Sequence, residues 1–176
     1  MERSRFLKAV ASVGLSVSAG CRSLSGIPLR KGRCMAGVRA PALEKVRVGL
    51  IGTGHRGSAA VSRLASLPGV EITALGELYE DRVAKQLRVL TDMGKPAPRA
   101  YSGSADRWRS LCESKEVDLV YICTPWLLHT PMALYAMRCG KHVAVEVPAA
   151  VTVDECWELV ETSEKTRKHC MMLENC

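Results

Sequence analysis

The segment from Val46 to Ser58, "VRVGLIGTGHRGS", limits the possible folds more than any other part of the chain. A short apolar strand runs directly into Gly52, Gly54 and Gly57, spaced as G-x-G-x-x-G. It then enters "HRGSAAVSRLASL", whose apolar residues recur at helical spacing. A strand, a tight turn and a helix in immediate succession open a βαβ unit. Gly52 permits the turn, Gly54 lets backbone N–H groups approach a pyrophosphate, and Gly57 lets the helix pack on the sheet. The start of that helix attracts phosphate through its free N–H groups and its dipole. No Lys-Ser or Lys-Thr pair follows the last glycine, which excludes a P-loop.

The alternation continues to the end of the chain. "VEITALGE" reads as a strand, and "EDRVAKQLRVLTDMG" as a helix closed by Gly94. "PRAYS" can hold a short strand, and "ADRWRSLCES" is a helix with Ser104 as its expected cap. "VDLVYIC" is a strand, and the helix "PMALYAMRC" is expected to start at Thr130-Pro131 and stop at Gly140. "HVAVE" is a strand, "TVDECWELVETSEKTRK" a helix opened by the capping box Thr152-x-x-Glu155, and "HCMML" a last strand. Strands apolar on both faces and separated by helices form a parallel sheet covered on both sides. The fold class is therefore α/β, a Rossmann-like doubly wound parallel sheet with helices on both faces. Ligands bind such sheets beyond the carboxyl ends of the strands.

Those strand ends carry the candidate site residues. Glu77 ends the second strand, at the distance from the glycine loop where a carboxylate accepts hydrogen bonds from the adenine ribose. Its charge repels a 2′-phosphate, which favours NAD over NADP. The fourth strand empties into "TPWLLHTP", placing Trp126, Leu127, Leu128 and His129 at the same edge. Trp126 either walls a nicotinamide or packs against the next helix. Glu146 ends the fifth strand in "GKHVAVEVPAA", followed by Val147. An unpaired buried carboxylate is costly. Glu146 therefore meets either ribose or substrate hydroxyls or a nearby cation. Asn175 follows the sixth strand at the corresponding edge, and His55 and Arg56 are either phosphate-edge ligands or solvated loop residues. His142 and His169 read as packed histidines, and Asp118 as structural.

Charge and cysteines narrow the class further. The net charge of +7 suggests nucleic acid, but residues 1–45 hold nine basic and two acidic residues, while residues 46–176 hold sixteen of each. The expected folded part is neutral and lacks a phosphate-tracking stripe, so no nucleic-acid partner is expected. "MERSRFLK" followed by "AVASVGLSVSAG" resembles an export leader over residues 1–21, with Cys21 at a lipoprotein-like cleavage site. Residues 22–45 read as a linker, and residues 46–176 as the dinucleotide-binding domain. The eight cysteines form no C-x-x-C pair, so no metal site is expected, and most read as buried free thiols.

Together, G-x-G-x-x-G, Thr124-Pro125-x-x-x-His129 and Gly140-Lys141-His142-Val143-x-x-Glu146-x-Pro148 resemble the Gfo/Idh/MocA oxidoreductases. Most members of that family carry a catalytic lysine between Glu and Pro, where this chain has Val147. "GTGHRGS", "YSGSADRWRSL", "YICTPWLLHTPMALYAM", "GKHVAVEVPAA", "ECWELVETSEKT" and "MMLENC" are similar to glycoside hydrolase family 109, whose activity is α-N-acetylgalactosaminidase. That resemblance implies NAD contacts at His55-Arg56, Glu77, Trp126 to His129, Glu146-Val147 and Asn175. It implies an N-acetylgalactosaminyl glycoside as substrate. The sugar C3 is oxidised transiently, the aglycone eliminated, water added and C3 reduced again, an NAD-dependent exception among glycosidases. It also implies a second α/β domain, absent from this chain, which would supply most substrate contacts and the base, and it leaves room for a homo-oligomer. The competing readings are a sugar dehydrogenase of the wider family and a non-catalytic NAD-binding module.

Overall fold

The computed structural model describes residues 34–174. The expected leader, its Cys21, the first part of the linker and Asn175 lie outside the described residues. Residues 34–45 carry a turn at Ala36–Gly37 and no helix or strand. No helix among the described residues is long and apolar enough to cross a membrane.

Six parallel strands form one sheet in the order β3-β2-β1-β4-β5-β6. β1 (Val46–Ile51) leads into α1 (His55–Ser66), β2 (Val70–Gly76) into α2 (Glu80–Asp92), and β3 (Arg99–Tyr101) into α3 (Arg107–Glu113). β4 (Leu119–Ile122) passes through a 3-10 turn, Trp126–Leu128, into α4 (His129–Arg138). β5 (His142–Glu146) then leads into α5 (Val153–Thr166) and β6 (Cys170–Leu173). The order reverses between β1 and β4, and that switch point opens a crevice at the carboxyl ends of the strands.

Two apolar layers hold the helices to the sheet. Leu50, Ile72 and Leu75 on one face pack with Val61 and Ala65 of α1 and with Val83 and Leu90 of α2. On the other face Ile51, Val120, Ile122, Val143 and Val145 meet α3 through Leu111, α4 through Met137 and α5 through Leu159. Side chains alternate between the faces along each strand, so consecutive apolar residues are required wherever both faces are covered.

The expected helix stops and the capping box are present. Gly94 and Gly140 follow their helices at positive φ, and Thr152 and Glu155 bond each other's backbone N–H groups. Two expected caps differ. The hydroxyl of Ser104 accepts from the amide of Asp106 at 3.5 Å within a turn ahead of α3, and Asp106 occupies the cap position. Thr130 lies inside α4, because the 3-10 turn feeds straight into the helix at His129. Its buried hydroxyl donates to the carbonyl of Ala149 at 3.0 Å instead.

Candidate cofactor site

The glycine loop needs its glycines for two separate reasons. Gly52 has φ +90°, and a Cβ there would stand 2.7 Å from the carbonyl oxygen of Cys123. A Cβ at Gly57 would fall onto the carbonyl oxygen of Gly52, so α1 can start this close to β1 only with glycine in its first turn. Gly54 caps α1 without any side-chain bond, which leaves the first N–H groups of the helix open to an anion.

Beside the loop, the side chain of Glu77 is only 8% exposed, and backbone donors hold it from two directions. Its Oε2 accepts from the amide of Thr53 at 2.8 Å and from the Thr53 hydroxyl at 3.3 Å. Its Oε1 accepts from the amides of Leu78 at 2.9 Å and Tyr79 at 3.3 Å. Arg82 reaches to 3.9 Å from the same Oε1 and lays its guanidinium 4.5 Å over the ring of Tyr79.

A cavity of about 440 Å³ opens between these groups and the ends of β3 and β4. Gly52, Gly54 and Glu77 form its polar side, and Tyr101, Trp108 and Met132 contribute much of its apolar wall. A polar rim bearing a carboxylate and N–H groups, backed by an apolar and aromatic slot, fits the phosphate, ribose and base of a nucleotide.

The structure does not bring all the predicted residues together. Gly52, Gly54, Glu77 and Leu128 line this cavity. Trp126 and Leu127 do not line it; they are 65% and 75% exposed in the adjoining 3-10 turn, so Trp126 does not pack into the helix layer. His129 does not turn its side chain into the cavity. It is 1% exposed, with Nε2 at 2.7 Å from the carbonyl oxygen of Thr124 and Nδ1 at 2.8 Å from that of Pro148. Its ring lies between the loop after β4 and the loop after β5, with a main-chain carbonyl oxygen beside each ring nitrogen, one of them accepting the ring N–H.

Glu146 and Arg56 resolve each other. Glu146 is 6% exposed, yet it is not unpaired. Arg56 Nε donates to its Oε2 at 2.9 Å, and the Tyr121 hydroxyl donates to its Oε1 at 2.8 Å. Arg56 therefore turns toward the end of β5, while His55 is exposed at the start of α1. Val147 follows Glu146, with a cis peptide to Pro148. Burial and the bond to Glu146 raise the Tyr121 phenol well above the usual tyrosine range. Burial, with the charge of Glu146, pushes the Cys123 thiol up to about 12. Neither group ionises near neutrality.

Several residues of the site were invisible in the sequence. Trp108 and Met132 belong to helices whose buried sides are set by Leu111 and Met137, and nothing local marks them as cavity walls. Thr53 carried a weak signal, as the residue between two loop glycines with a backbone amide free to reach Glu77. His142 and His169 stack at 5.3 Å and bond through the His169 amide, as packed histidines do. Among the described residues no cluster of His, Cys, Asp or Glu could hold a metal ion.

This arrangement of glycine loop, carboxylate and slot at a sheet switch point defines a dinucleotide-binding domain. Residues 46–174 match GFO_IDH_MocA, described as the oxidoreductase family, NAD-binding Rossmann fold, and the chain belongs to that family. It is 55% identical over 142 residues to glycosyl hydrolase family 109 protein 1 of Bacteroides fragilis, covering 81% of this chain and 31% of that protein. It is 54% identical over 140 residues to an alpha-N-acetylgalactosaminidase of Bacteroides fragilis, covering 80% of this chain and 33% of that one. The chain thus spans about a third of the length of these relatives. Among solved structures it resembles the 3-ketoreductase KijD10 from Actinomadura kijaniata, in complex with NADP. There the TM-score is 0.61 with 26% identity over 73% of this chain and 38% of that one.

Proposed function

We propose that this chain is the cofactor-binding part of an NAD-dependent glycosidase acting on α-N-acetylgalactosaminides. The observation that carries the reading is the 54% identity to an alpha-N-acetylgalactosaminidase over 140 residues of this chain. The residues present fit the cofactor. Gly52 and Gly54 leave room for a pyrophosphate at the start of α1, Glu77 offers lone pairs to the adenine ribose, and the slot beside Trp108 takes the base. A carboxylate held by three backbone amides keeps negative charge at the ribose 2′ position, which supports NAD over NADP.

Bound NAD supplies reversible hydride acceptance and return, so that a sugar C3 can be oxidised and later reduced without net redox. The chain's own residues bind and orient. Trp126 and Leu127 would offer apolar surface to the nicotinamide half, and Glu146 would lie at that end of the cofactor. Val147 has no group that can take or give a proton. Position 147 therefore supplies no general base, which sets the reading apart from a lysine-dependent dehydrogenase. The leader expected over residues 1–21 extends the proposal to export with the cofactor already loaded.

The deciding experiment gives a chromogenic α-N-acetylgalactosaminide to a protein that carries this domain at the full length of its family-109 relatives. Release of the aglycone with no accumulation of NADH is the expected result. Steady NADH production from free sugars overturns it in favour of a dehydrogenase.

A further inference from the structure

Among the residues that line the nucleotide cavity, Glu77 and Arg82 are the two that carry charge, one of each sign. Glu77 is committed to its own chain. A carboxylate has about four lone-pair directions. Thr53, Leu78 and Tyr79 fill them with two short bonds, at 2.8 and 2.9 Å, and two long ones at 3.3 Å. The long bonds, from the Thr53 hydroxyl and the Tyr79 amide, are the ones that ribose hydroxyls can replace.

Arg82 is held in a different way. It stands in the first turn of α2 with Nη1 at 3.9 Å from Glu77 Oε1, beyond hydrogen-bond distance. Its guanidinium lies 4.5 Å over the ring of Tyr79. The same Nη1 would stand 3.7 Å from a Cβ built on Gly54, the cap of α1. The half-exposed guanidinium therefore sits between the glycine loop and the ribose carboxylate, and charge and a ring face hold it there. Neither contact uses up an N–H donor. Glu80 and Asp81 beside it are exposed and do not line the cavity. A planar fork of donors at this point matches a phosphate. At the adenosine 2′ position a hydroxyl is drawn to Glu77, whereas a phosphate is repelled by Glu77 and drawn to Arg82.

We propose that Arg82 is a specificity-determining residue for the cofactor: it offsets the charge of Glu77 at the 2′ position, so that a 2′-phosphorylated dinucleotide is a second ligand of this cavity. The proposal rests on the cofactor reading above and deepens it. NAD remains the favoured ligand, but through the balance of one carboxylate against one guanidinium rather than by exclusion.

The test titrates the whole chain and its variants with NADH and NADPH, followed by nicotinamide fluorescence and by calorimetry. The unmodified chain is expected to bind both, with NADPH weaker by less than about a hundredfold. Arg82→Met keeps an unbranched side chain over the Tyr79 ring but removes the charge. It should weaken NADPH about tenfold, the scale of one hydrogen bond to a charged group, and leave NADH within about twofold. Added salt should weaken NADPH more steeply in the unmodified chain than in Arg82→Met. Glu77→Gln should shift the ratio of affinities toward NADPH by about tenfold, and adding Arg82→Met should abolish that shift. Equal weakening of NADH and NADPH in Arg82→Met would show a merely structural role and overturn the proposal. So would an NADPH affinity unchanged by that substitution. An unmodified chain that binds NADH and not NADPH overturns the proposal and leaves the cofactor reading standing. If it binds neither, the cofactor reading falls, and the proposal falls with it.

Discussion

The carboxylate of Glu77 accepts a hydrogen bond from the backbone amide of Thr53 at 2.8 Å, so the acidic group that ends β2 is fastened to the middle of the glycine loop. The shape of the glycine loop and the position of this carboxylate are therefore one structural unit. In Glu77→Gln, the amide nitrogen would face an N–H of Thr53 or of Leu78, a donor against a donor. We expect a loss of about 1–3 kcal/mol in stability. We also expect NADH and ADP to weaken together by about tenfold. Thermal melts and ligand titrations read the two effects separately.

Gly57→Ala tests the close approach of α1 to the sheet. The added Cβ meets the carbonyl oxygen of Gly52, which is main chain and has no rotamer to yield. The expected cost is about 3 kcal/mol, seen as a fall in melting temperature on the order of 10 °C. A melt within a degree or two of the unmodified chain would mean that the loop is looser than described here.

Trp108 forms the aromatic wall of the nucleotide slot and meets Tyr135 edge-on at 5.2 Å between ring centroids. Trp108→Ala should weaken ADP and NADH to the same extent, about tenfold, through the lost stacking surface. Trp126→Ala, in the adjoining 3-10 turn, should leave ADP unaffected and touch only the nicotinamide side.

Acid sensitivity is expected at the opposite end of the sheet. Arg47 binds Asp118 through Nη2 at 2.6 Å and Nε at 3.0 Å, and its amide adds a third bond. These bonds, that of the Arg47 side chain foremost, hold the Asp118 carboxyl below the usual carboxylate range. Because the folded value is lowered, the pair contributes stability above about pH 4 and loses it as pH falls through the folded value. Asp118→Asn should therefore be less stable than the unmodified chain at neutral pH. That difference should narrow in melts recorded below about pH 4.

The thiols should separate by reactivity. Burial pushes Cys112 and Cys123 up to about 12, whereas Cys34 and Cys156 are exposed. Iodoacetamide applied to the folded chain should label Cys34 and Cys156 first, with Cys112 and Cys123 modified only after denaturation. Peptide mapping gives the order directly.

The features legible in the sequence are those that constrain the backbone locally. Gly52 and Gly57 could be read because a turn and a helix contact of this kind tolerate nothing larger, and Thr152-x-x-Glu155 because a capping box closes within four residues. Glu146 could be flagged as anomalous but not explained. One of its partners lies 90 positions away and the other 25. Only the strand order brings Arg56, Tyr121 and Glu146 together. The same holds for Trp108, whose helix pattern describes how it packs but not that β3 and β4 leave a slot beside it. The surroundings of the His129 ring were equally hidden. A histidine on a loop at the ligand edge resembles a ligand, while the two carbonyl groups that claim it are scattered along the chain.

The imidazole of His129 is best regarded as a crossbeam. It is wedged between the carbonyl oxygens of Thr124 and Pro148 and buried there, so the segments that follow β4 and β5 pack as a single braced frame rather than two independent flaps. A change in either loop is therefore felt by the other, because one ring touches both.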